Sequence, residues 1–310
     1  MIDLDACFGK PISQRLRDFL TTGLGAPLVS ADAERLVLAD GRTIPLRRNV
    51  PRLVADDKYV QSFSYQWTSY PTEMLDSQQN IGLTEDEIAR KTTFVPSAVN
   101  GKLMLDAGVG IGRHAEIFAR WGAEIVGVDL SDSVDVAYDN LKHFPNTVVL
   151  QGDLGELPFP KESFDIIYSI GVLHHTPDTK EYTRRLVPLL KPGGILSIWV
   201  YSLTFTRRKQ WIPLTSRLPK PAFHDWCDWM IGWLRHDKEN PFFRTAAAWM
   251  PFRYDHVTHE RSVINLFDGY TPTYHGIHSP DEVIGWFQEF GLEDIVTSAT
   301  DTSVTGRKPA

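Results

Sequence analysis

The segment 103–113 constrains the fold of this chain more than any other part of its sequence. It reads Leu-Met-Leu-Asp-Ala-Gly-Val-Gly-Ile-Gly-Arg, an apolar run that ends in Asp106 and continues into Gly108, Gly110 and Gly112. Glycines at this spacing let the backbone turn sharply with positive φ and let a ligand approach the main chain closely. A helix beginning near Gly112 would present its unpaired N–H groups to that ligand. The pattern predicts a ligand site at the end of a buried strand, where the carboxylate of Asp106 meets a cationic part of the ligand.

Acidic residues also follow the next two predicted strands. The apolar run at 124–128 ends in Asp129, and the run at 148–150 is followed by Asp153. A carboxylate at Asp129 would lie where the ribose hydroxyls of a bound nucleoside are expected. A dinucleotide-binding fold places an acid similarly, but its glycine spacing is Gly-x-Gly-x-x-Gly, whereas this turn has Gly-x-Gly-x-Gly. Asp129 therefore indicates a nucleoside without identifying it, and the segments further downstream separate the two classes.

Three downstream segments complete the pattern. They are Val-Val-Leu-Gln-Gly-Asp at 148–153, Ser-Phe-Asp-Ile-Ile-Tyr-Ser at 163–169 and Leu-Leu-Lys-Pro-Gly-Gly at 189–194. In this order and spacing, the glycine turn, the acids and these segments resemble the class I S-adenosylmethionine-dependent methyltransferases, in particular the group called methyltransferase type 11 domains. The resemblance covers positions 95 to 200, with a weaker match at the C-terminus.

The resemblance implies S-adenosylmethionine as the cofactor. In that family the first acid and the glycine turn hold the methionine part, whose ammonium faces the acid side. The acid after the second strand binds the ribose hydroxyls, and the acid after the third strand faces the adenine amino group. The cofactor-binding residues implied on these segments are Asp106, Gly108, Gly110, Gly112, Arg113, Asp129, Leu130, Gly152, Asp153, Leu154 and Ser169.

The predicted elements alternate between strand and helix, which indicates a parallel sheet with helices on both faces and ligands at the carboxyl edge of the strands. The predicted strands are at 103–106, 124–129, 147–150, 165–170 and 194–200. Two terminal runs, 292–296 and 302–306, would add the strand pair typical of the family. The expected fold class is α/β, a doubly wound Rossmann-like sheet of seven strands, with a small N-terminal β appendage and an aromatic helical insertion after the fifth strand.

The chain divides into two predicted domains. Residues 1–57 are expected to form a small β module, because two short apolar runs flank the turn Asp40-Gly41, a strong hairpin signal. This module resembles the one, often a zinc ribbon, that precedes the catalytic domain in some methyltransferases, but it lacks the metal-binding cysteines. Its expected role is structural. Residues 58–310 would form the catalytic domain, with a lid segment at 58–95 and a helical insertion at 201–275.

Aromatic residues mark the lid segment. Tyr59, Phe63 and Trp67 recur at four-residue spacing and would lie on one face of a helix. This face either packs on the sheet or faces the ligand. Tyr65 and Gln66 lie off the stripe and are candidates for polar contacts to cofactor or substrate. We assign Tyr59, Gln66 and Trp67 to the cofactor and Tyr65 to the catalytic group.

The insertion at 201–275 is rich in tryptophan and should carry the substrate preference. Trp226, Trp229 and Trp233 recur at three- and four-residue spacing and so would line one face of a helix. One interpretation is an aromatic core with a solvated basic face. The other is a lid, or the contact surface of a homodimer, over an apolar or anionic substrate that could be lipid-linked.

Candidate chemical groups follow the fourth strand. In this fold the strand end opens toward the transferring methyl, so His174 or His175 could accept a proton from an attacking hydroxyl or amine. The alternative is a structural role in which these histidines bond the loop. An aromatic ring near the sulfonium, that of Tyr59, Tyr65, Trp67 or Tyr168, could stabilise it through cation–π contact. The catalytic candidates are His174, His175, Tyr65 and Tyr168.

No metal site is predicted. Cys7 and Cys227 are the only cysteines, too few for a disulfide framework or a cysteine zinc site. His256, His259 and Glu260 have a spacing that fits a metal on a helix. No further ligand is identifiable, and methyl transfer needs no metal in most members of the resembled family.

Composition narrows the class of protein. The chain has 310 residues, of which 42% are hydrophobic and 23% charged, as is ordinary for a globular protein. No apolar run approaches the ~20 residues of a membrane span, and the N-terminus lacks the pattern of a signal peptide. A cytoplasmic location is therefore expected. A net charge of −7 argues against a general nucleic-acid binder, because phosphate contacts need a basic surface.

The expected function is transfer of the methyl group of S-adenosylmethionine to a small molecule by in-line displacement, with catalysis resting mainly on positioning in a water-poor pocket. One alternative on the same fold is a non-methyl use of the cofactor. This could be cyclisation by the cofactor's own amine or transfer of its aminocarboxypropyl arm, with release of methylthioadenosine. A second alternative is a cofactor-binding protein without turnover.

Overall fold

The computed structural model describes residues 2–55, 59–204, 209–236, 240–242, 245, 258–298 and 301–310. His256, one of the three residues with metal-like spacing, lies outside these described residues. The same is true of part of the insertion, including the basic pair Arg207 and Arg208.

Eleven strands form two sheets in the described part of the chain. The strands are β1 (Leu28–Ala31), β2 (Arg35–Leu38), β3 (Thr43–Arg47), β4 (Val50–Pro51), β5 (Leu103–Ala107), β6 (Glu124–Asp129), β7 (Thr147–Gln151), β8 (Phe164–Ile170), β9 (Leu190–Val200), β10 (Glu293–Thr297) and β11 (Thr302–Arg307). The α-helices are α1 (Leu4–Phe8), α2 (Gln14–Thr22), α3 (Gln61–Ser69), α4 (Asp76–Gln79), α5 (Leu83–Lys91), α6 (Pro96–Val99), α7 (Arg113–Arg120), α8 (Ser133–Leu141), α9 (Thr179–Leu186), α10 (Ile212–Thr215), α11 (Lys220–His236), α12 (His259–Asp268) and α13 (Pro280–Glu289). Short 3₁₀ helices cover Leu173–His175 and Val187–Leu189.

The large sheet has seven strands in the order β10-β11-β9-β8-β5-β6-β7. β5 to β9 pair in parallel, whereas β11 is antiparallel to both of its neighbours. Every residue of the central strand β5 is buried, as expected for a parallel strand covered on both faces. The edge strand β7 is buried as well, and Arg52 next to β4 forms a bridge with its Gln151. The predicted doubly wound α/β sheet is confirmed, and because its strands are parallel, the ends that follow β5, β6, β7, β8 and β9 meet at one edge.

One strand begins earlier than its sequence pattern indicates. Lys191-Pro192-Gly193-Gly194 looks like a turn, yet β9 starts at Leu190. Phe164 of β8 pairs with Leu190, and the next paired residue, Ile166, faces Ile195. The extra residues of β9 form an irregularity in its pairing with β8. Local turn signals in the sequence do not reveal such an irregularity.

The N-terminal strands form a four-stranded antiparallel meander, β1-β2-β3-β4, and the hairpin predicted around Asp40-Gly41 is confirmed as β2–β3. Buried side chains of this region, including Leu16 and Leu36, share one hydrophobic cluster with Leu105 of β5. A buried lysine, Lys10, adds a polar tie: its ammonium donates to the carbonyl of Phe144 at 2.8 Å and to the hydroxyl of Thr147 at 2.7 Å. The meander and its preceding helices therefore pack directly on the large sheet.

Helices α11 and α12 pack together beyond β9. The buried face of α11 is formed by Phe223, Cys227, Met230 and Ile231. Trp229 and Trp233 are each 47% exposed, so they do not build an internal core with Trp226. The reason is geometric: two residues along an α-helix correspond to about 200°, which turns Trp229 away from the face that carries Cys227. Within the described residues, no helix is both long and apolar enough to cross a membrane.

Candidate active site

A cavity of about 480 Å³ lies at the carboxyl edge of the parallel strands. Residues of α3, α5 and α12 cover it from outside the sheet. The sequence-predicted residues that line it are Tyr59, Gln66, Trp67, Gly108, Gly110, Arg113, Asp129, Leu130, Asp153, Leu154 and His175. Asp106, Gly112, Gly152, Ser169, Tyr65, Tyr168 and His174 do not line it.

The glycine turn after β5 has the predicted backbone, because Gly108, Gly110 and Gly112 all have positive φ, at 104°, 53° and 87°. Their roles differ. A Cβ on Gly108 would stand 2.3 Å from a methyl carbon of Val172, so this glycine allows close packing. A Cβ on Gly110 would meet only the Trp67 indole nitrogen, at 3.7 Å. Gly110 is thus the member of the turn that leaves space for a ligand.

Asp129 ends β6 at the cavity and is fixed by its neighbours. One carboxylate oxygen accepts the Gly110 N–H at 3.0 Å, and the other accepts the N–H and hydroxyl of Ser131 at 2.9 and 2.6 Å. Burial nevertheless raises the pKa of this carboxyl. The carboxylate is therefore already oriented along the rim of the glycine turn before any ligand binds. Asp153, after β7, lies at the same edge and accepts the Gly155 N–H at 2.9 Å.

Asp106 sits beneath the turn rather than in the cavity wall. It is buried, and its burial raises the carboxyl pKa to about 7, an effect that the nearby Tyr168 hydroxyl partly offsets. Burial and the Asp106 charge in turn raise the pKa of Tyr168 well above its ordinary value. Tyr168 is fully buried, and its ring packs on Phe118 at 4.6 Å. The structure thus places Tyr168 behind the glycine turn, where it contacts Asp106 and does not reach the cavity.

Helix α3 supplies one wall. Phe63 and Trp67 of the predicted stripe line the cavity, and so does Gln66, which is 1% exposed. Neither amide atom of the Gln66 side chain has a hydrogen-bond partner among the described residues. Tyr65 points elsewhere: its ring packs against His224 and Phe267, each at 5.8 Å, in the cluster between α11 and α12. The structure therefore does not bring Tyr65 to the other candidate residues.

Helix α5 supplies a charged wall that the sequence pattern did not reveal. Glu87 forms ion pairs with Lys91 and Arg113 and lies 3.5 Å from His114. Burial would raise the pKa of Glu87, but the two cations hold it well below its ordinary value. Burial lowers the pKa of Lys91 to about 8 and that of His114 to about 4. A single carboxylate thus balances two cations at this side of the cavity.

The loop after β8 and the end of β9 form the opposite wall. His175 lines the cavity, and its Nδ1 lies 3.0 Å from the Tyr274 carbonyl oxygen. His174 is fully buried and stacks on Tyr201 with a ring separation of 3.8 Å. Lys91 from α5 lies over the ring of Trp199, 3.2 Å from its centroid, and closes the wall on that side. Of the two predicted histidines, the structure brings only His175 to the cavity.

Helix α12, within the insertion, also reaches the cavity through Arg261, Ile264, Asn265 and Asp268. These positions share one helical face, because they are spaced by three, one and three residues. The same spacing is visible in the sequence. However, several helices of the chain have residues spaced in this way, and the spacing does not indicate what each helical face packs against. At the first residue of this helix, the His259 ring forms a hydrogen bond with Asp228 at 2.8 Å. Among the described residues, no group of three or more His, Cys, Asp or Glu side chains is placed to hold a metal ion.

The residues present suit a ligand of nucleoside size. The cavity volume lies within the range typical of small-molecule sites, ~300 to 1,000 Å³. The space left by Gly110, the fixed carboxylate of Asp129 and the unpaired amide of Gln66 all border this cavity. Buried polar groups without partners are uncommon in folded proteins, so the Gln66 amide indicates a site that a ligand completes.

Part of this chain matches a known protein family. Residues 105–198 match the profile of the family described as "Methyltransferase domain". The chain is 32% identical over 109 residues to the sterol 24-C-methyltransferase of Yarrowia lipolytica, an alignment that covers 34% of this chain and 29% of that protein. It is 36% identical over 100 residues to the ubiquinone biosynthesis O-methyltransferase of Coxiella burnetii, covering 32% and 43%. This chain therefore spans less than half the length of these curated relatives.

A solved structure of a methyltransferase from Aquifex aeolicus aligns with 74% of this chain and 96% of its own, at 14% identity and a TM-score of 0.41. The segment that matches the family profile holds the glycine turn, Asp129, Asp153 and the loop of His175. The family's cofactor is S-adenosylmethionine, and the cavity next to these residues fits a ligand of its size. Residues 105–198 of this chain therefore carry the methyltransferase domain that the sequence pattern resembles.

Proposed function

We propose that this protein transfers the methyl group of S-adenosylmethionine to a small-molecule acceptor. The observation that carries the proposal is one cavity with two different halves. One half holds the glycine turn and the acids that follow β6 and β7, which suit a nucleoside. The other half, after β8 and β9, is lined by Trp199, Tyr201 and His175, and in the proposal it holds the acceptor. The similarity to a sterol methyltransferase and to a methyltransferase of ubiquinone biosynthesis supports a small acceptor.

The cofactor half assigns roles to individual side chains. In the proposal Asp129 accepts hydrogen bonds from the ribose hydroxyls, and Asp153 faces the adenine amino group. The Gly110 backbone allows the methionine part to approach the main chain. The Gln66 side-chain amide donates and accepts hydrogen bonds to the cofactor, because no described residue is its partner. When bound, S-adenosylmethionine supplies an electrophilic methyl group on its sulfonium.

The remaining residues position the reactants and exclude water. Phe63, Trp67 and Trp199 give the cavity apolar walls, and α3 and α12 cover its outer side. Excluding water strengthens the electrostatic contacts inside the cavity, and fixing two reactants in line makes the displacement effectively intramolecular. No metal is needed for these roles.

Calorimetry with S-adenosylhomocysteine tests the cofactor half. The change Asp129→Ala removes hydrogen-bond acceptors for the ribose, so binding should weaken by ~1.5 to 3 kcal/mol, the range for hydrogen bonds to a charged group. The control is Asp139→Ala, which removes an exposed carboxylate of α8 whose partners are the surface cations Arg48 and Lys142. Unchanged affinity in the Asp129 variant, with the fold intact by thermal melting, contradicts the assignment.

Product analysis tests the reaction type. The protein is incubated with S-adenosylmethionine that carries a labelled methyl group and with pools of small acceptors. Methyl transfer yields S-adenosylhomocysteine together with a labelled acceptor. Release of methylthioadenosine, with or without an acceptor, would instead establish a non-methyl use of the cofactor. Tight cofactor binding without any turnover would favour a binding protein.

A further inference from the structure

We infer that His175 is the general base of the reaction and that the acceptor is a phenol, a planar compound that presents an aromatic hydroxyl to the imidazole. The inference rests on the proposed methyl transfer and adds the class of acceptor and the residue that removes its proton. It is carried by three observations: the tautomer of His175, its place in the cavity and the rings around it.

The hydrogen bond to the main chain fixes the tautomer of His175. A carbonyl oxygen can only accept, so the Nδ1 atom that lies 3.0 Å from the Tyr274 oxygen must carry the proton. In the neutral ring, Nε2 then has a free lone pair. His175 is 4% exposed, and its Nε2 has no hydrogen-bond partner among the described residues. The Nε2 atom of His175 is therefore a buried and oriented proton acceptor that has no donor in the described structure.

The position of His175 on the sheet edge separates it from the cofactor residues. In the strand order β9-β8-β5-β6-β7, the glycine turn follows the central strand β5. Asp129 and Asp153 follow strands on one side of β5, whereas His175 and Tyr201 follow strands on the other side. A methyl group presented above the glycine turn would thus lie between the cofactor half and the imidazole. His174 does not share this position, because it is buried against Tyr201 and does not line the cavity.

The charges around His175 suit a ring that gains a proton during the reaction. Burial lowers its pKa, so the ring is neutral and able to act as a base, while the negative charge of Asp268 on α12 acts in the opposite direction. Asp268 also accepts a hydrogen bond from the Tyr201 hydroxyl at 2.9 Å. The other titratable rings beside it are His174, Tyr201 and His275, at 4.1, 5.3 and 5.7 Å between centroids, and α3 contributes the uncharged Phe63.

The aromatic walls beside the His175 ring favour a planar acceptor. The rings of Phe63 and Tyr201 lie 5.1 and 5.3 Å from the His175 ring, and Trp199 lies 5.6 Å from Tyr201. Aromatic rings at such separations pack best with another ring in an edge or offset arrangement. A phenolic hydroxyl has a pKa of about 10, so at neutral pH it needs a base to become a good nucleophile. A carboxylate or thiolate acceptor would need none.

In the proposed step, each bond that forms is matched by a bond that breaks. The O–H bond of the phenol breaks and its proton moves to Nε2 of His175. The freed electron pair on oxygen forms the new bond to the methyl carbon, and the carbon–sulfur bond breaks with its electron pair remaining on sulfur. The imidazolium, stabilised by Asp268, then releases its proton to water. The products are the methyl ether and S-adenosylhomocysteine.

Nitrogen NMR of the histidine rings tests the inference without relying on turnover. In the protein saturated with S-adenosylhomocysteine, the His175 ring is expected as the Nδ1–H tautomer with an unprotonated Nε2 at neutral pH. Adding catechol should shift the Nε2 resonance, because the hydroxyl donates to it. A protonated Nε2 in the neutral ring overturns the base. A titration with catechol and with phenol that leaves Nε2 unmoved overturns the acceptor class.

The variant His175→Asn provides the second readout. Its side-chain amide can still donate to the Tyr274 carbonyl, but it has no atom in place of Nε2. Methylation of catechol should fall by ~10² to 10⁴-fold, the usual contribution of a general base, with unchanged affinity for S-adenosylhomocysteine. The loss should shrink as the pH rises toward the pKa of the phenol. The matched control is His143→Asn, an exposed residue remote from the cavity.

The outcomes distinguish this inference from the proposed function. If wild-type protein does not bind S-adenosylhomocysteine, the proposed function itself fails. If it binds, and His175→Asn methylates catechol at the wild-type rate, only the general base is overturned. If aniline or benzoate is methylated and neither phenol is, the acceptor class is overturned.

Discussion

At Gly108, backbone conformation and packing both exclude a side chain. The residue has a φ of 104°, and an added Cβ would stand 2.3 Å from a methyl carbon of Val172. The change Gly108→Ala should therefore cost ~2 to 5 kcal/mol of unfolding free energy, from left-handed strain plus overpacking. Urea unfolding measures it. The double variant with Val172→Ala should recover the packing part of the loss.

The control for this prediction is Gly41→Ala in the hairpin turn. Gly41 has a φ of 87°, but a Cβ added there would have no described atom within 4 Å. Only the strain of ~1 to 2 kcal/mol should appear at this position. Equal losses at the two glycines would show that close packing against Val172 does not matter.

Asp106 predicts a pH dependence of stability. In the folded protein its pKa is raised to about 7, compared with an ordinary value of 3.8. Between these values the folded state binds one more proton than the unfolded chain, so this contribution to stability is lost as the pH rises from about 4 to about 7 and is constant above. Asp106→Asn should remove the decline, whose slope is at most ~1.4 kcal/mol per pH unit.

The measurement is the difference in unfolding free energy between Asp106→Asn and wild type, without cofactor, at about pH 5 and about pH 7.5. The difference should move in favour of the variant at the higher pH. Subtracting the two proteins cancels groups that titrate in both, such as His114, whose lowered pKa has the opposite effect. A difference that does not vary with pH would contradict the neutral form of Asp106.

Residue-level prediction from sequence succeeded where backbone chemistry alone sets the role. Gly110 and Asp129 lie together at the cavity, and the Gly110 N–H donates to the Asp129 carboxylate. Tyr65 shows the opposite case. It neighbours Gln66 in sequence, yet consecutive residues on a helix point about 100° apart, so only one of them faces the cavity. Whether Tyr65 or Gln66 faces the cavity depends on the orientation of α3 on the sheet, and no local sequence pattern indicates that orientation.

At the level of elements, the strands and the α3 wall of the cavity were predictable from sequence, and the charged wall of α5 was not. β6 was expected at 124–129 and spans those residues, because an apolar run between polar turns has few other ways to be buried. Helix α5 contains a cation–carboxylate pattern that is ordinary for an exposed helix. Its charged side chains become part of the cavity only because Glu87 meets Arg113 of α7, 26 residues away in the chain. Such long-range pairing is invisible to periodicity.

The ion cluster of α5 makes a stability prediction. Glu87→Gln leaves Lys91 and Arg113 partly buried without their shared carboxylate, because Glu87 is the anion that pairs with both. Removing one partner of a buried ion pair costs ~3 to 5 kcal/mol. The matched control is Glu181→Gln, which removes the partner of Arg184 and Arg185 on the exposed surface of α9 and should change little. Similar urea midpoints for the two variants would rule out a stabilising role for the cluster.

At the level of the whole molecule, the cavity joins distant parts of the chain. Its walls come from 59–91, from the strand ends between 108 and 201, and from 261–268 in α12. The insertion was expected to carry the substrate preference. In its described part it reaches the cavity through α12, while Trp229 and Trp233 are exposed. We therefore expect the contribution of the insertion to depend on how α12 sits over the sheet.

This arrangement predicts that ligand binding makes local opening of the covering helices rarer. A cofactor that fills the cavity contacts side chains of α3 and α12, so opening of these helices would break ligand contacts as well as their own. Amide hydrogen exchange should slow in 61–69 and 259–268 when S-adenosylhomocysteine is added, and less so in Asp129→Ala at the same ligand concentration. The hairpin β2–β3, whose residues do not line the cavity, serves as the internal control. Unchanged exchange in both helices, at a ligand concentration that calorimetry shows to be saturating, would mean that the walls are rigid and that the cofactor enters without their movement.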